Sequence, residues 1–398
     1  MSIRNATTLL RPLNVIDFFF NSEVGSPMEL TLKRGDFLNE LALMQGVVER
    51  KNTIPILSNI LLKASDGHLD LTSTDLDLTL LSSAEAKVSR PGAVTVPARK
   101  LFDLIRNLPE ADVRLKLMEN HYLGVTCERS SFRLVAQPAE DYPTVPKVEG
   151  KGGMTFPLDA WKRLTRKVLY AVSAEETRFQ LMGALLKDKG KEFEMVATDG
   201  HRLALVNFGK ENAKGTLPNV LIPKKALAEI LKMDGGDGGG DLEIRHSENH
   251  LLFRVGSRQL IARLLDVNFP DYEKILGKGN DKVAVVARTA LQSAIRRVAL
   301  FSPERARGVR LSFEKDLLTI ASASQELGEG NETLDVRYDA EPLSIGLNAQ
   351  YLLDFLDEVE TENVRLELKD ENTQCLCHPD GEVEGASRYL YVVMPMRL

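Results

Sequence analysis

Asp199, Gly200, His201 and Arg202 place an acid, a turn former, a titratable base and a permanent cation in four consecutive positions of "EMVATDGHRLALV" (194–206). An acid and a base so close could move a proton between reacting groups. A second set, Cys375, Cys377 and His378 in "CLCH", offers thiolate and imidazole ligands. Structural zinc usually takes four ligands, however, and no further Cys/His cluster completes the set, so two cysteines two apart are expected to share one face of a strand. The glycine-rich stretches "GGDGGG" (235–240) and "GKGNDK" (277–282) lack the Gly-Lys-Ser/Thr ending of a phosphate loop, and there is no Gly-x-Ser-x-Gly elbow. Neither a metal nor a cofactor is expected.

The elements that carry the Asp-Gly-His-Arg stretch recur along the chain. "LTSTDLDLTLL" (71–81) matches "MVATDGHRLAL" (195–205), which sets Asp75 against Asp199 at a separation of 124 residues. Strand-to-helix signals follow at "VTVPARKLFDLI" (94–105) and "VLIPKKALAEIL" (220–231), and the units close on "AEDYPTVP" (139–146) and "NFPDYEKIL" (268–276). A fainter third copy keeps the order with "RGVRLSF" (307–313), "LSIGLNAQYLLDFL" (343–356) and "YLYVVMPMRL" (389–398). Long internal repeats imply tandem modules. The segments 37–48, 160–172 and 290–300 space apolar residues by three and four, as amphipathic helices do, whereas 68–80, 251–265 and 363–370 alternate with period two, as half-buried strands do. Each module therefore reads as α+β, with two helices among antiparallel strands, and "KVEGKGG" (147–153) and 277–282 read as connectors.

The repeat alters the first reading. Asp75 has "DLDL" where Asp199 has "DGHR", so the acid recurs without the base, and Asp199 and Gly200 are expected to serve backbone geometry. His201 and Arg202 occur in one copy only, which suits polar orienting groups of a binding pocket.

The totals fit a globular protein: 398 residues, 43% apolar, 27% charged, three cysteines (Cys127, Cys375 and Cys377) and net charge −6. So few cysteines favour a reducing cytoplasm, and no stretch reaches the roughly 18 apolar residues of a membrane span. In residues 1–27, Arg11, Pro12 and Asp17 break the apolar run that a secretory signal needs.

"MELTLKRGDFLNEL", "VATDGHRLA", "FPDY", "RGVRL" and the terminal "YVVMPMRL" together resemble the bacterial sliding clamp family, the β subunit of DNA polymerase III, from Met28 to Leu398. The resemblance implies a non-enzymatic processivity factor with three tandem DNA-clamp domains, at 28–149, 150–280 and 281–398, behind an N-terminal extension of 1–27. It implies a head-to-tail homodimeric ring with helices lining a central hole and antiparallel sheets outside. Such a ring encircles double-stranded DNA without sequence preference. It tethers the replicative DNA polymerase, the clamp-loader ATPase, and other polymerases, repair and ligation proteins through short linear motifs.

Carried over by motif, the partner groove comprises Leu181, Thr198, Gly200, His201, Arg202, Leu203, Pro270, Lys274, Ile275, Asn348, Tyr351, Val392, Val393, Met394, Pro395, Met396 and Arg397. Flexible, polarizable methionines suit a groove that accepts different peptides. Alternate residues of "YLYVV" are expected to be buried in a last strand, with His201 and Arg202 orienting bound peptides. Ala306 stands where the family is often aromatic. The dimer contact would bring Phe132 and Leu134 against Leu300 and Phe301, with Glu326, Glu329 and Glu332 facing Lys100 and Arg129.

The helical windows bear on the ring. They carry +1 (33–51), +2 (97–108), +3 (158–172), +2 (224–232), +3 (288–297) and −4 (350–360), against −6 for the chain. That split suits basic helices within an acidic shell, the sixth window excepted. Candidate phosphate contacts are Lys51, Arg99, Lys100, Arg106, Arg163, Arg166, Lys167, Lys224, Lys225, Arg296 and Arg297. The alternative is a protein-interaction scaffold that does not encircle DNA.

Overall fold

The computed structural model describes residues 28–48, 54–146, 148, 153–175, 177–210, 213–235, 240–277, 279–303 and 307–398. Lys51, Ala306 and most of the 147–153 connector lie outside the described residues.

One order of elements occurs three times, less one short strand in the described residues of the third copy. The first copy runs β1 (Glu29–Lys33), α1 (Arg34–Val47), β2 (Asn59–Ser65), β3 (His68–Thr74), β4 (Leu78–Glu85), β5 (Lys87–Arg90), β6 (Gly92–Pro97), α2 (Ala98–Arg106), β7 (Asp112–Leu117), β8 (Tyr122–Cys127) and β9 (Ser130–Val135). The second runs β10 (Gly153–Pro157), α3 (Leu158–Leu169), β11 (Gly183–Asp188), β12 (Glu192–Thr198), β13 (Arg202–Gly209), β14 (Lys214–Gly215), β15 (Val220–Pro223), α4 (Lys224–Lys232), β16 (Asp241–His246), β17 (His250–Val255) and β18 (Arg258–Arg263). The third runs β19 (Lys282–Ala287), α5 (Arg288–Val298), β20 (Gly308–Glu314), β21 (Leu317–Ser324), β22 (Gly328–Asp335), β23 (Leu343–Asn348), α6 (Ala349–Glu358), β24 (Asn363–Leu368), β25 (Cys375–Pro379) and β26 (Arg388–Val393). The helices form because apolar residues return every three or four positions: Leu158, Trp161, Leu164 and Val168 are all buried on α3. Trp161 packs edge-on to Phe156, which packs on Phe208 in turn. Burying each such side chain contributes about 1.5–3 kcal/mol.

The chain divides into two compact units. The first joins the first copy to residues 232–263, and the second holds 152–231 and 264–398. In the first unit, one sheet is ordered β5-β1-β7-β8-β9, and the other strands run β16-β17-β18-β4-β3-β2-β6. In the second unit, one sheet is ordered β15-β11-β12-β13-β26-β25-β24-β19 and another β22-β21-β20-β23.

The copies are joined by equivalent seams. β4 of the first copy pairs with β18, the last strand of the second, with Leu81 opposite Gln259 and Thr79 opposite Ile261. β13, the counterpart of β4, pairs with β26, the last strand of the third, with Arg202 opposite Val393 and Asn207 opposite Arg388. The remaining counterparts, β22 and β9, each end a sheet.

The last strand departs from the expected alternation, since Tyr389, Leu390, Tyr391, Val392 and Val393 are all buried. β26 lies between β13 and β25, and both its faces are covered. Tyr389 and Tyr391 meet Phe355 of α6, while Leu390 and Val392 pack with Tyr272.

Candidate functional site

The Asp-Gly-His-Arg stretch is the turn between β12 and β13. Asp199 Oδ1 accepts from the backbone N–H of His201 at 2.9 Å and of Arg202 at 3.0 Å, and Thr198 Oγ1 accepts from Gly200 N–H at 3.1 Å. Gly200 has φ 91°, a left-handed conformation that suits glycine. The first copy builds the same turn. Asp75 Oδ1 accepts from the N–H groups of Asp77 and Leu78, and Thr74 Oγ1 from that of Leu76. In the third copy Ser324 Oγ alone remains, accepting from Glu326 N–H. Asp199 is thus engaged in the backbone geometry of the turn.

Arg202 is held largely within the chain. Its side chain is 11% exposed, and Nε donates to Asp199 Oδ2 at 3.0 Å, Nη1 to Asp354, and Nη2 to Tyr170 O at 2.6 Å. The guanidinium lies over the Tyr351 ring, 4.3 Å from its centroid. Burial opposes its charge, but Tyr391, Asp354 and Asp199 outweigh that and hold its pKa above the usual arginine value. The forked cation therefore clasps the turn, the end of α3 and α6 together, a geometry lysine could not reproduce. Asn348 caps α6: its Oδ1 accepts from the N–H groups of Gln350 and Tyr351. His201 is exposed, and its carbonyl accepts from Met394 N–H at 3.0 Å.

Beyond β26 the tail continues in hydrogen-bonded form, with Met396 N–H donating to Gly346 O at 2.8 Å. Glycine is required beneath it at position 346, because a Cβ there would stand 2.4 Å from Met396 O, whereas one on Gly308 would meet only the movable end of the Leu398 side chain. Met394 is 42% exposed and Leu398 52%. Cavities of about 670 and 510 Å³ flank the tail, and Arg310, Arg397 and Leu398 line both.

The remaining groove candidates divide by depth. Leu181, Thr198, Leu203, Val392 and Val393 are buried, with Leu203 and Val392 in one apolar cluster, whereas Pro270, Lys274, Ile275 and Arg397 are exposed and Pro395 and Met396 half-buried. Sequence reasoning missed Arg178, Phe179, Tyr170 and Asp354. Arg178 Nη1 donates to Asp199 O at 3.1 Å, and Phe179 is 60% exposed beside Leu181. The exposure of Phe179 and its nearness to the turn are properties of the fold, and no local sequence signal marked them.

The basic candidates stand differently from a simple helix count. Arg99, Lys100 and Arg166 are exposed. Arg106 pairs with Asp103 at 3.2 Å, Arg163 with Glu384 at 3.1 Å, Arg296 with Asp357 at 2.8 Å, and Arg297 with Glu332. Lys224 donates to Val172 O at 2.9 Å, and Lys225 is half-buried. Lys167 is corrected as a phosphate contact: it is 2% exposed, donates to Glu358 O at 3.3 Å and lies over the Tyr389 ring. Acidic α6 meets both helices, Asp357 pairing with Arg296 of α5 and the Glu358 carbonyl accepting from Lys167 of α3.

Among the dimer candidates, Leu300 is 72% exposed and Phe132 41%, while Leu134 and Phe301 are half-buried. The Phe301 ring covers Gly330 of β22 so closely that a Cβ there would stand 2.6 Å away. Glu326 and Glu329 are exposed, as are Lys100 and Arg129, but Glu332 is taken by Arg297 of its own chain. Cys375 and Cys377 share a buried face with sulfurs 3.8 Å apart. The Cys375 contact and burial push the Cys377 pKa up, opposite to what a thiolate ligand or nucleophile needs. His378 is pushed down by burial, with Glu367 partly opposing.

Threefold repetition of one module and shared sheet seams define a DNA-clamp protein of three tandem domains. Family models for the N-terminal, central and C-terminal domains of the DNA polymerase III beta subunit match residues 28–146, 155–271 and 273–397. The Beta sliding clamp of Pseudomonas aeruginosa is 38% identical over 93% of this chain and all of its own length, and that of Escherichia coli (strain K12) 36% identical over the same shares. The crystal structure of a DnaN sliding clamp from Bartonella birtlesii bound to griselimycin covers 94% of this chain and all of its own, at 33% identity and TM-score 0.86. The chain belongs to the DNA polymerase III beta subunit family, the bacterial beta sliding clamps.

Proposed function

We propose that two copies of this clamp, a non-catalytic DNA polymerase processivity factor, close head to tail around double-stranded DNA. The observation that carries the reading is the pair of unmatched edges. β4 takes β18 and β13 takes β26, so β22 repeats the pattern by taking β9 of a second copy. Both known seams place the first residue of the hairpin strand near the end of the last strand: Leu78 opposite Ala262, and Arg202 opposite Val393. The same register sets Gly328 against Leu134 or Val135, and brings Phe132 near Gly330 and the Phe301 ring above it. Repeated seams favour this reading over a scaffold that never encircles DNA.

Phosphate contact falls to Arg99, Lys100 and Arg166, with the ion-paired Arg106, Arg163, Arg296 and Arg297 and the less exposed Lys224 and Lys225 contributing where a phosphate displaces a partner. Such contacts are independent of sequence and can be weak, since closure rather than affinity retains the DNA.

The groove around Met394, Ile275, Pro270, His201 and Phe179, floored by Leu203 and Val392, takes short apolar peptide motifs. The replicative polymerase, the clamp-loader ATPase and other polymerases, repair and ligation proteins then compete for one site. Griselimycin, bound by the Bartonella birtlesii relative, serves as its probe. Three free, buried cysteines support a reducing cytoplasm, and among the described residues no helix is long and apolar enough to cross a membrane.

The test is extension from a primed circle with the cognate polymerase and loader. Adding the clamp should lengthen the products of a single binding event, and griselimycin should shorten them again. Product lengths indifferent to the clamp would contradict the reading.

A further inference from the structure

We infer that Glu194 and Tyr272 form a latch that holds the outer wall of the groove in its binding conformation. The inference rests on the groove reading above and adds positioning residues to it.

Pro270, Lys274 and Ile275 belong to a short segment that crosses the outer face of the β13–β26 seam. Few backbone bonds fix that segment; within it, a single turn carries Ile275 N–H to Tyr272 O at 3.0 Å. Tyr272, at its centre, is instead 3% exposed and packs with Val196, Leu203, Leu205, Leu376, Leu390 and Val392. These residues come from strands on both sides of the seam. Tyr272 therefore anchors the segment where the second and third copies join.

A buried ring would slide on apolar neighbours without a directional contact. Tyr272 Oη donates to the carboxylate of Glu194, itself only 4% exposed on β12. Lys187, opposite Glu194 in the β11–β12 register, donates to Tyr272 Oη at 3.2 Å and lies over its ring, 5.0 Å from the centroid. Lys189 lies 3.4 Å from Glu194 and donates to Glu273 at 3.1 Å. The buried carboxylate thus has two kinds of partner, a phenol and an ammonium, and both belong to or reach the groove wall. A hydrogen bond to a charged, buried acceptor is among the stronger and more directional contacts in a protein. Fixing a wall before the ligand arrives removes an ordering cost from binding.

The test uses the full-length clamp, with fluorescent griselimycin as probe and hydrogen exchange of the Ile275 amide as a second readout. Tyr272→Phe keeps the ring and removes the hydroxyl, and Glu194→Gln keeps an acceptor and removes the charge. Each should weaken probe binding roughly fivefold, as loss of preorganisation by a charge-assisted bond would. Each should also speed Ile275 exchange in the unliganded protein and restore its protection when probe is bound, with the two-chain mass unchanged. Unchanged affinity and exchange in both variants would overturn the latch. Ile275→Ala serves as the control: if it leaves probe affinity intact, the groove reading itself fails, whatever Tyr272→Phe does.

Discussion

Asp75 and Asp199, 124 residues apart, make the same pair of bonds, each carboxylate oxygen accepting from the N–H groups two and three residues ahead. The correspondence extends to the residue that follows. Gly200 has φ 91° and Leu76 has φ 82°, so the first copy bears at a leucine a conformation that the second assigns to glycine. Leu76 is also 51% exposed, so little apolar burial compensates. The left-handed conformation costs a non-glycine residue about 1–2 kcal/mol. Leu76→Gly should therefore stabilise the protein by roughly 0.5–1 kcal/mol after the greater chain entropy of glycine is subtracted, read as a higher urea midpoint. A lower midpoint would show that Leu76 has an apolar partner.

Arg202 supplies a contrast between scaffold and surface. Arg202→Lys should cost about 2–3 kcal/mol in unfolding free energy, because a single ammonium cannot satisfy Asp199, Asp354 and Tyr170 O together. His201→Ala should change stability by less than about 0.5 kcal/mol, as an exposed side chain does, while weakening griselimycin binding. Chemical denaturation with fluorescence titration separates the two. Equal stability losses would contradict the division.

Gly346→Ala should move the tail, since the new Cβ would enter the space of Met396 O. Probe affinity should fall at least tenfold, a loss of about 1.4 kcal/mol, while the two-chain mass stays unchanged. Unaltered affinity would mean that the tail beyond Met394 is not part of the groove.

Lys167 offers a pH test. Burial, partly opposed by Glu360 and Glu358, lowers its pKa below 10.5. The unfolded chain then holds this proton more tightly than the folded one, so the lysine's contribution makes the fold more stable as pH rises from the folded pKa towards 10.5. Lys167→Met should remove that rise in urea midpoint. It should also leave the salt slope of DNA binding unchanged, whereas Arg99→Ala or Arg166→Ala should each reduce it by about 0.9 if the residue contacts a phosphate. A reduced slope in Lys167→Met would restore Lys167 as a contact.

What the sequence disclosed follows the range of the interactions. The turn carboxylates were legible because an acid bonding its own backbone is a local event, repeated in "STDLDL" and "ATDGHR". The third turn escaped notice because only Ser324 remains of the pattern. The burial of Arg202 was not legible, since Tyr170 and Asp354 stand 32 and 152 residues away. Charge counting gave the excess on α3 but not its faces, so Lys167 passed for a surface residue. The alternation expected in "YLYVV" failed because a strand covered on both faces shows none, and the cover comes from Tyr272, far upstream.

In the proposed ring, β22 of one chain pairs with β9 of another and closes around DNA. Loading the protein on a nicked circular duplex, raising the salt and cutting the circle decides whether it does. A closed ring is retained on the intact circle and promptly lost from the linear form, with neither in a Phe132→Asp protein that should remain a single chain. Dissociation at the same rate from circle and linear duplex would contradict it.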